Sequence, residues 1–552
     1  MALVFETLAI AASLVAITAL ADALTRRLPL PGSVLLVLIG ALLAFVPAFP
    51  AVEIDPELVL LLFLPPVLYG AGVGMSWRGF RTNLRPILLL AIGCVLFTAV
   101  AVAAVAHWLL GLPWAVGMIL GAVVSPPDAV APMAIARRLG LPERVQTVLE
   151  GEGLVNDATA LILFAFAVAA VRTGDVSAGA ALGSFAAIVT GEIAWGMAAG
   201  WGSLWLRRAV RDPQTEIVLS LLGPFAAFWL PHALGGSGVI ATVAMGLFVS
   251  FNGPKFISPA TRLQGYFVWG LVIQIIEGML FLLTGLQVRA IIDAAGDGGW
   301  GPLLFAAAVI SLTVIVVRFI WVFPAAYLPR LLPGVGSRDP LPPWRQIFFI
   351  GFTGIRGVVS LAAALSIPLT ANAAPFPGRG LILFVSFAVI IVTLVGQGSL
   401  LGWLIRQLGL DDVGRAEAAR AKAEEVRARI AGVKATLAHL DALAAAGAKP
   451  GAVAVLRRRH EDRLAEFMGI ADASVPGNPA VDDAELQEQL IAAERRQILA
   501  IHAAGGLTDE ARRRIEREFD LEEARNCHAL ESASGDRLAD PETLSEPDLA
   551  RG

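Results

Sequence analysis

Apolar residues in this chain run in long stretches, without the strict alternation of half-buried strands or the single apolar stripe of soluble helices. A bilayer core takes about 20 apolar residues of helix. Runs of that kind, separated by charged or Gly/Pro-rich breaks, lie near residues 4–24, 31–49, 56–74, 86–110, 114–136, 145–171, 179–206, 215–231, 236–252, 264–288, 301–328, 345–369 and 380–405. The pattern predicts an all-α polytopic membrane domain of thirteen spans over residues 1–410. The first run carries Glu6 and lacks a basic leader, so it reads as a span and not as a cleaved signal.

Beyond residue 410 the pattern changes. Arg415 to Ala446 alternates charged positions with Ala, Leu and Val, and Glu485 to Ile501 and Thr508 to His528 repeat that style. Residues 411–532 are therefore expected to form a cytosolic helical tail. Residues 533–552, rich in Asp, Glu, Ser and Pro, are expected to be disordered.

Composition sharpens this division. Of 552 residues, 57% are hydrophobic and 16% charged, which excludes an ordinary soluble protein. Residues 1–410 hold 22 Lys/Arg and 18 Asp/Glu, a net +4, whereas residues 411–552 hold 20 and 28, a net −8. Cys94 and Cys527 fall one in each part, so a disulfide framework is not expected. Only His107 and His232 belong to the membrane part, and no cofactor or resident metal is expected. The basic runs of the tail sit among acids and make no nucleic-acid patch.

Orientation follows from the connections. One alternating set holds sixteen Lys/Arg, among them Arg85, Arg144, Arg207, Lys255 and Arg330, and the other holds only Arg172, Arg289 and Arg379. The positive-inside rule then puts the N-terminus outside and the tail in the cytoplasm.

Two spans carry interruptions. The fifth contains Ser125-Pro126-Pro127-Asp128, whose prolines remove amide donors, and the twelfth contains Thr353-Gly354-Ile355-Arg356-Gly357. Being seven spans apart they run in opposite directions, as paired broken helices of inverted repeats do around a transporter's ion site. Ionisable residues at membrane depth are costly and point to function. Here they are Asp128, Glu150, Glu152, Asp157, Glu192, Glu277, Arg318 and Arg356. Asp157 lies roughly 18 Å along its helix from the cytoplasmic end, near mid-membrane. A carboxylate in that setting is neutralised either by a proton or by a small hard cation, so the two compete. Glu150 stands near the cytoplasmic entrance, where it reads as a funnel residue. Glu192 finds no assignment from sequence.

At these residues the sequence resembles the monovalent cation/proton antiporter-1 family, bacterial sodium/proton exchangers related to the animal ones. The resemblance rests on Leu62 to Tyr69, Ser125 to Val130, Glu150 to Ala158, Phe281 to Gln287, Arg318 to Pro324 and Gly354 to Ser360, in family order. It implies a thirteen-helix fold with a dimerisation bundle, hence a homodimer, and crossed broken helices in a moving core. It implies that Asp157 is the shared carrier of Na+ and H+, that Asn156 and Asp128 shape the site, and that Glu152 pairs with Arg356. Glu277 and Arg318 invite a second pair on adjacent helices. The Asn-Asp pair implies electroneutral exchange.

Three positions depart from the family pattern: Pro127 stands where Thr is frequent, Gly153 where Ser is, and Gly70 where some members have Glu. Ser125 and the carbonyls freed by the prolines are the candidate replacement oxygens. The expected activity is Na+/H+ antiport across the inner membrane serving pH homeostasis. A K+/H+ (or Li+-accepting) antiporter of the same fold and a Na+-coupled solute symporter are the alternatives. An enzyme is not expected, for no nucleophile has a nearby base and no paired-Asp protease pattern is present.

Overall fold

The computed structural model describes residues 12–21, 31–46, 59–173, 178–210, 212–295, 299–331, 341–371, 374–471 and 479–503, with scattered positions besides, some of them within 511–524. The chain divides into two compact units, residues 1–411 and 412–552. The segment 533–552 lies outside the described residues.

The first unit is built from helices. In chain order they are α1 (Ala12–Ala21), α2 (Gly32–Leu43), α3 (Val59–Gly74), α4 (Trp77–Thr82), α5 (Leu84–Leu110), α6 (Trp114–Val124) and α7 (Val130–Leu139). There follow α8 (Glu143–Thr173), α9 (Ala178–Val210), α10 (Pro213–Ala233), α11 (Val239–Phe256), α12 (Pro259–Leu286) and α13 (Val288–Ala295). The last are α14 (Trp300–Tyr327), α15 (Trp344–Phe352), α16 (Val358–Leu365) and α17 (Arg379–Gln407). A two-stranded antiparallel hairpin, β1 (Thr370–Ala371) with β2 (Ala374–Pro375), joins α16 to α17. Among the described residues seven helices are long and apolar enough to cross a membrane: α5, α8, α10, α11, α12 with its continuation to Asp293, α14 with its continuation to Leu331, and α17.

Local chemistry sets many of the ends. Asp212 accepts the Thr215 N–H at 2.8 Å and Pro213 takes the first position of α10; Ser258 accepts the Thr261 N–H at 3.1 Å and Pro259 opens α12 in the same way. α2 and α12 touch backbone to backbone, because a Cβ on Gly40 would stand 2.2 Å from the Leu282 carbonyl oxygen. That contact anchors a core in which Val34, Val37 and Leu282 pack with Ala131 and Leu149 of the helices that carry the predicted site.

Three helices contain π-helical turns, at Val59–Phe63 in α3, Leu89–Cys94 in α5 and Val392–Gln397 in α17. Each extra residue shifts the facing of the side chains that follow it.

The second unit contains α18 (Leu410–Ala445), α19 (Pro450–Ala471) and α20 (Pro479–Ala503). Helix α19 was not anticipated. Its boundary is nevertheless written locally, since Gly447 takes φ +91° just past α18 and Pro450 occupies the first position of α19.

Candidate ion-binding site

The fifth and twelfth apolar runs are both interrupted as expected. α6 ends at Val124 and α7 begins at Val130; α15 ends at Phe352 and α16 begins at Val358. The two breaks meet. The Asp128 amide donates to the Ile355 carbonyl at 2.7 Å, and Arg356 donates from Nε to the Val124 carbonyl at 2.6 Å. A second Arg356 donor reaches the Gly354 carbonyl of its own break. A guanidinium thus sits at the carbonyl end of α6, where the helix dipole is negative and the last carbonyls lack helical partners.

Asp128 serves both breaks. Its Oδ1 accepts the Val130 N–H at 2.9 Å, covering a free amide at the start of α7. Its carboxylate also lies against Gly357, where an added Cβ would stand 2.4 Å from Oδ2. Only glycine fits that approach.

Helix α8 runs past the first break. Asn156, fully buried, donates from Nδ2 to the Pro127 carbonyl at 2.5 Å, while its Oδ1 is buried without a partner. One carbonyl within the first break is therefore held by Asn156. Ser125 is 2% exposed and donates to the Ala122 carbonyl at 3.3 Å within its own helix.

A cavity of about 390 Å³ opens between α3, α8, α12 and the two breaks. Asp128, Asp157, Glu150 and Glu277 all line it, with Ser360 and the Pro126-Pro127 pair. Asp157, which lines this cavity, makes no hydrogen bond or ion pair with any described residue.

The pairing of charges differs from expectation. Glu152 does not pair with Arg356. It receives both terminal nitrogens of Arg318 on α14, at 2.6 and 2.8 Å, with both side chains buried, while Arg318 Nε donates to the Ile350 carbonyl at 3.2 Å. The fork of Arg318 matches the carboxylate in the bidentate geometry that fixes a buried pair, and Arg356 is engaged by carbonyls instead. Arg318 is accordingly not the partner of Glu277, which lies on the cavity wall.

The departures at Gly153 and Gly70 also have a structural reason. A Cβ on Gly153 would come within 2.6 Å of the Ala129 methyl, and one on Gly70 within 2.3 Å of Ile273 Cδ1. Apolar groups occupy the space that oxygen-bearing side chains would need.

Glu192, unassigned from sequence, is 3% exposed and closes the N-terminus of α11. Its Oε1 accepts from the Ser237 amide at 2.6 Å and the Gly238 amide at 3.0 Å, and its Oε2 from the Ile240 amide at 3.0 Å. The Gly235-Gly236-Ser237-Gly238 run before α11 was the available signal, but nothing local to it names a carboxylate 45 residues earlier.

The family model for sodium/hydrogen exchangers, transmembrane, matches residues 11–407. An uncharacterized Na+/H+ exchanger of Mycobacterium tuberculosis is 36% identical over 534 residues, covering 94% of this chain and 96% of that protein. A sodium, potassium, lithium and rubidium/H+ antiporter of Bacillus pumilus is 31% identical over 395 residues, covering 69% and 59%. The sodium proton antiporter MjNhaP1 from Methanocaldococcus jannaschii is similar in fold, with a TM-score of 0.58 at 18% identity over 73% of this chain and 99% of its own. A match over most of the membrane unit, joined to full-length similarity, shows that this multi-pass membrane protein belongs to the sodium/hydrogen exchanger family of cation/proton antiporters.

Proposed function

We propose that the chain is a secondary active antiporter that exchanges Na+ for H+, one for one, at the Asp157 carboxylate by alternating access. The observation that carries this reading is the bare state of Asp157. It lines a cavity beside the meeting point of two helix breaks and has no partner among the described residues, whereas Glu152 is held by Arg318 and Glu192 by amides. A carboxylate so placed is neutralised by a proton or by Na+ but not by both, and that competition couples the two fluxes.

In this reading Asn156 fixes the first break against α8, Asp128 joins the two breaks, and Arg356 supplies a fixed positive charge beside the carbonyl end of α6. Glu152 with Arg318 holds α8 to α14, and Glu150 and Glu277 shape the approach to Asp157. Ser125 stays outside the coordination shell. The thirteen-span topology of inverted halves, the outside N-terminus, the cytoplasmic tail, the inner membrane and a homodimer complete the proposal, resting on the charge pattern and the family.

The test is proton flux in proteoliposomes that are acid inside. NaCl, KCl, LiCl or choline chloride is added outside, with voltage clamped by valinomycin and K+ in a separate run without KCl as the test salt. Na+ and not choline alkalinises the lumen, clamping leaves the rate unchanged, and Asp157→Asn is folded but silent. Flux with K+ alone moves the reading to a K+/H+ antiporter. No cation response, or an active Asp157→Asn variant, overturns it.

A further inference from the structure

Breaking a helix inside an apolar body orphans backbone groups that must find partners elsewhere. At the 353–357 break and the last turn of α15, four such groups find partners in side chains or in the other break. The Ile355 carbonyl accepts the Asp128 amide, and the Ile350 carbonyl accepts both Arg318 Nε and the Thr353 hydroxyl, the latter at 3.0 Å. The other two partners come from α17, within a single π-helical turn. The Arg356 amide donates to Thr393 Oγ1 at 3.0 Å, and Gln397 Nε2 donates to the Phe352 carbonyl at 3.1 Å.

Thr393 is fully buried and Gln397 is 6% exposed. The Thr393 hydroxyl donates its own proton to the Val389 carbonyl at 2.8 Å, which leaves its lone pair aimed at Arg356. Thr393 and Gln397 therefore grip the break at both ends, Gln397 at the last residue of α15 and Thr393 at the arginine before α16. From Arg356 the chain of bonds continues through Nε to Val124 at the edge of the first break, and from Ile355 to the amide of Asp128. Neither Thr393 nor Gln397 lines the cavity.

We infer that the π-helical turn Val392–Gln397 is a positioning element for the ion site, with Thr393 and Gln397 as positioning residues that hold Arg356 and, through it and Ile355, set the place of Asp128. The inference rests on the antiporter reading for its transport consequence. Its structural consequence stands apart: loosening α17 from the second break loosens the first break, on a different helix, through two hydrogen bonds.

Thr393→Val keeps shape and removes the acceptor; Thr393→Ser restores it; Gln397→Leu removes the second grip. In full-length protein, hydrogen exchange followed by mass spectrometry reads the amides of 353–358 and 125–130. Thr393→Val accelerates exchange in both segments while α9 and α11 exchange as in the wild type, and Thr393→Ser behaves as the wild type. In proteoliposomes Thr393→Val raises the Na+ concentration for half-maximal exchange by about tenfold, the scale of one lost buried hydrogen bond, with a smaller change in maximal rate. Thr393→Ser restores the wild-type value, and Gln397→Leu acts in the same direction.

Unchanged exchange at 125–130 in Thr393→Val overturns the inference, as does faster exchange spread evenly over the whole unit. A wild-type protein that moves no protons with any cation defeats the antiporter reading alone, and exchange at 125–130 then decides the positioning role by itself.

Discussion

Two carboxylates of the membrane unit sit in opposite circumstances. Glu192 is surrounded by donors, accepting amides of Ser237, Gly238 and Ile240 at 2.6–3.0 Å, whereas Asp157 lines a cavity with no partner among the described residues. Both are costly groups in an apolar body. The difference lies in what neutralises each. Backbone amides at a helix start compensate Glu192 permanently, so it has nothing left to offer a mobile ion. Asp157 has no such partner among the described residues, and in the proposed exchange the cavity it lines is where a proton or cation would meet it. Position in a long apolar run marks both residues as unusual; in the proposed function, partner saturation separates scaffold from site.

The comparison is broken most directly by exchanging the fates of the two groups. Asp157→Asn abolishes cation-dependent proton flux, a loss of at least about a hundredfold if one charged ligand worth about 3 kcal/mol is removed, while the thermal midpoint in detergent stays near the wild-type value. Glu192→Gln does the reverse. Flux persists, and stability falls by about 1–3 kcal/mol as charge-assisted bonds to three amides weaken. Loss of flux in a folded Glu192→Gln protein would place that residue in the site after all.

Between these extremes lies the Glu152–Arg318 pair, saturated like Glu192 but by an opposite charge. Glu152→Leu or Arg318→Met alone strands a buried partner and costs about 3–5 kcal/mol. The double variant Glu152→Leu with Arg318→Met recovers most of that loss, since a buried pair is expensive to break and cheap to replace. Thermal unfolding of the four proteins forms a double-mutant cycle, and additive losses would show that the two side chains are not coupled. Glu152→Leu with Arg356→Met, by contrast, shows no such recovery, because Arg356 is bonded to the carbonyls of Val124 and Gly354.

What the sequence made legible follows from the range of each interaction. The apolar runs and the two breaks are local properties, and Pro126, Pro127 and the Gly354/Gly357 pair announce them directly. The bareness of Asp157 was legible only as depth. Which arginine reaches Glu152 was not legible, because the true partner lies 166 positions away and depends on how α8 and α14 are rotated against each other. The resemblance supplied Arg356 at that point, and the structure supplies Arg318. Thr393 and Gln397 were passed over for a related reason. In a run as apolar as Val392 to Gln397 a threonine and a glutamine carry no charge to draw notice, and their importance comes from orphaned groups on another helix. Glu192 illustrates the same limit, since the helix start it closes is made by residues 237–241.

The finest test of the comparison uses a carboxylate that performs the Glu192 task in water. Asp212, outside the apolar runs, accepts the Thr215 amide at 2.8 Å and the Thr215 hydroxyl at 2.7 Å at the start of α10. Those hydrogen bonds hold its carboxyl below the usual carboxylate range. A depressed folded-state value means that the stabilisation is complete above the ordinary pKa of an aspartate and is lost as pH falls through that range toward the depressed value. Asp212→Ala therefore lowers the thermal midpoint slightly at neutral pH and makes no difference in strong acid, where the wild-type carboxyl is itself protonated. Water takes over the amides that Asp212 leaves, whereas Glu192 and its partners Ser237 and Gly238 are buried, so the loss in Asp212→Ala is the smaller of the two at pH 7. Midpoints of wild type, Asp212→Ala and Glu192→Gln measured from neutral pH down into strong acid decide the point. A loss in Asp212→Ala as large as that in Glu192→Gln would mean that the apolar setting adds nothing to the worth of a helix cap, and that saturation by donors is not what separates Glu192 from Asp157.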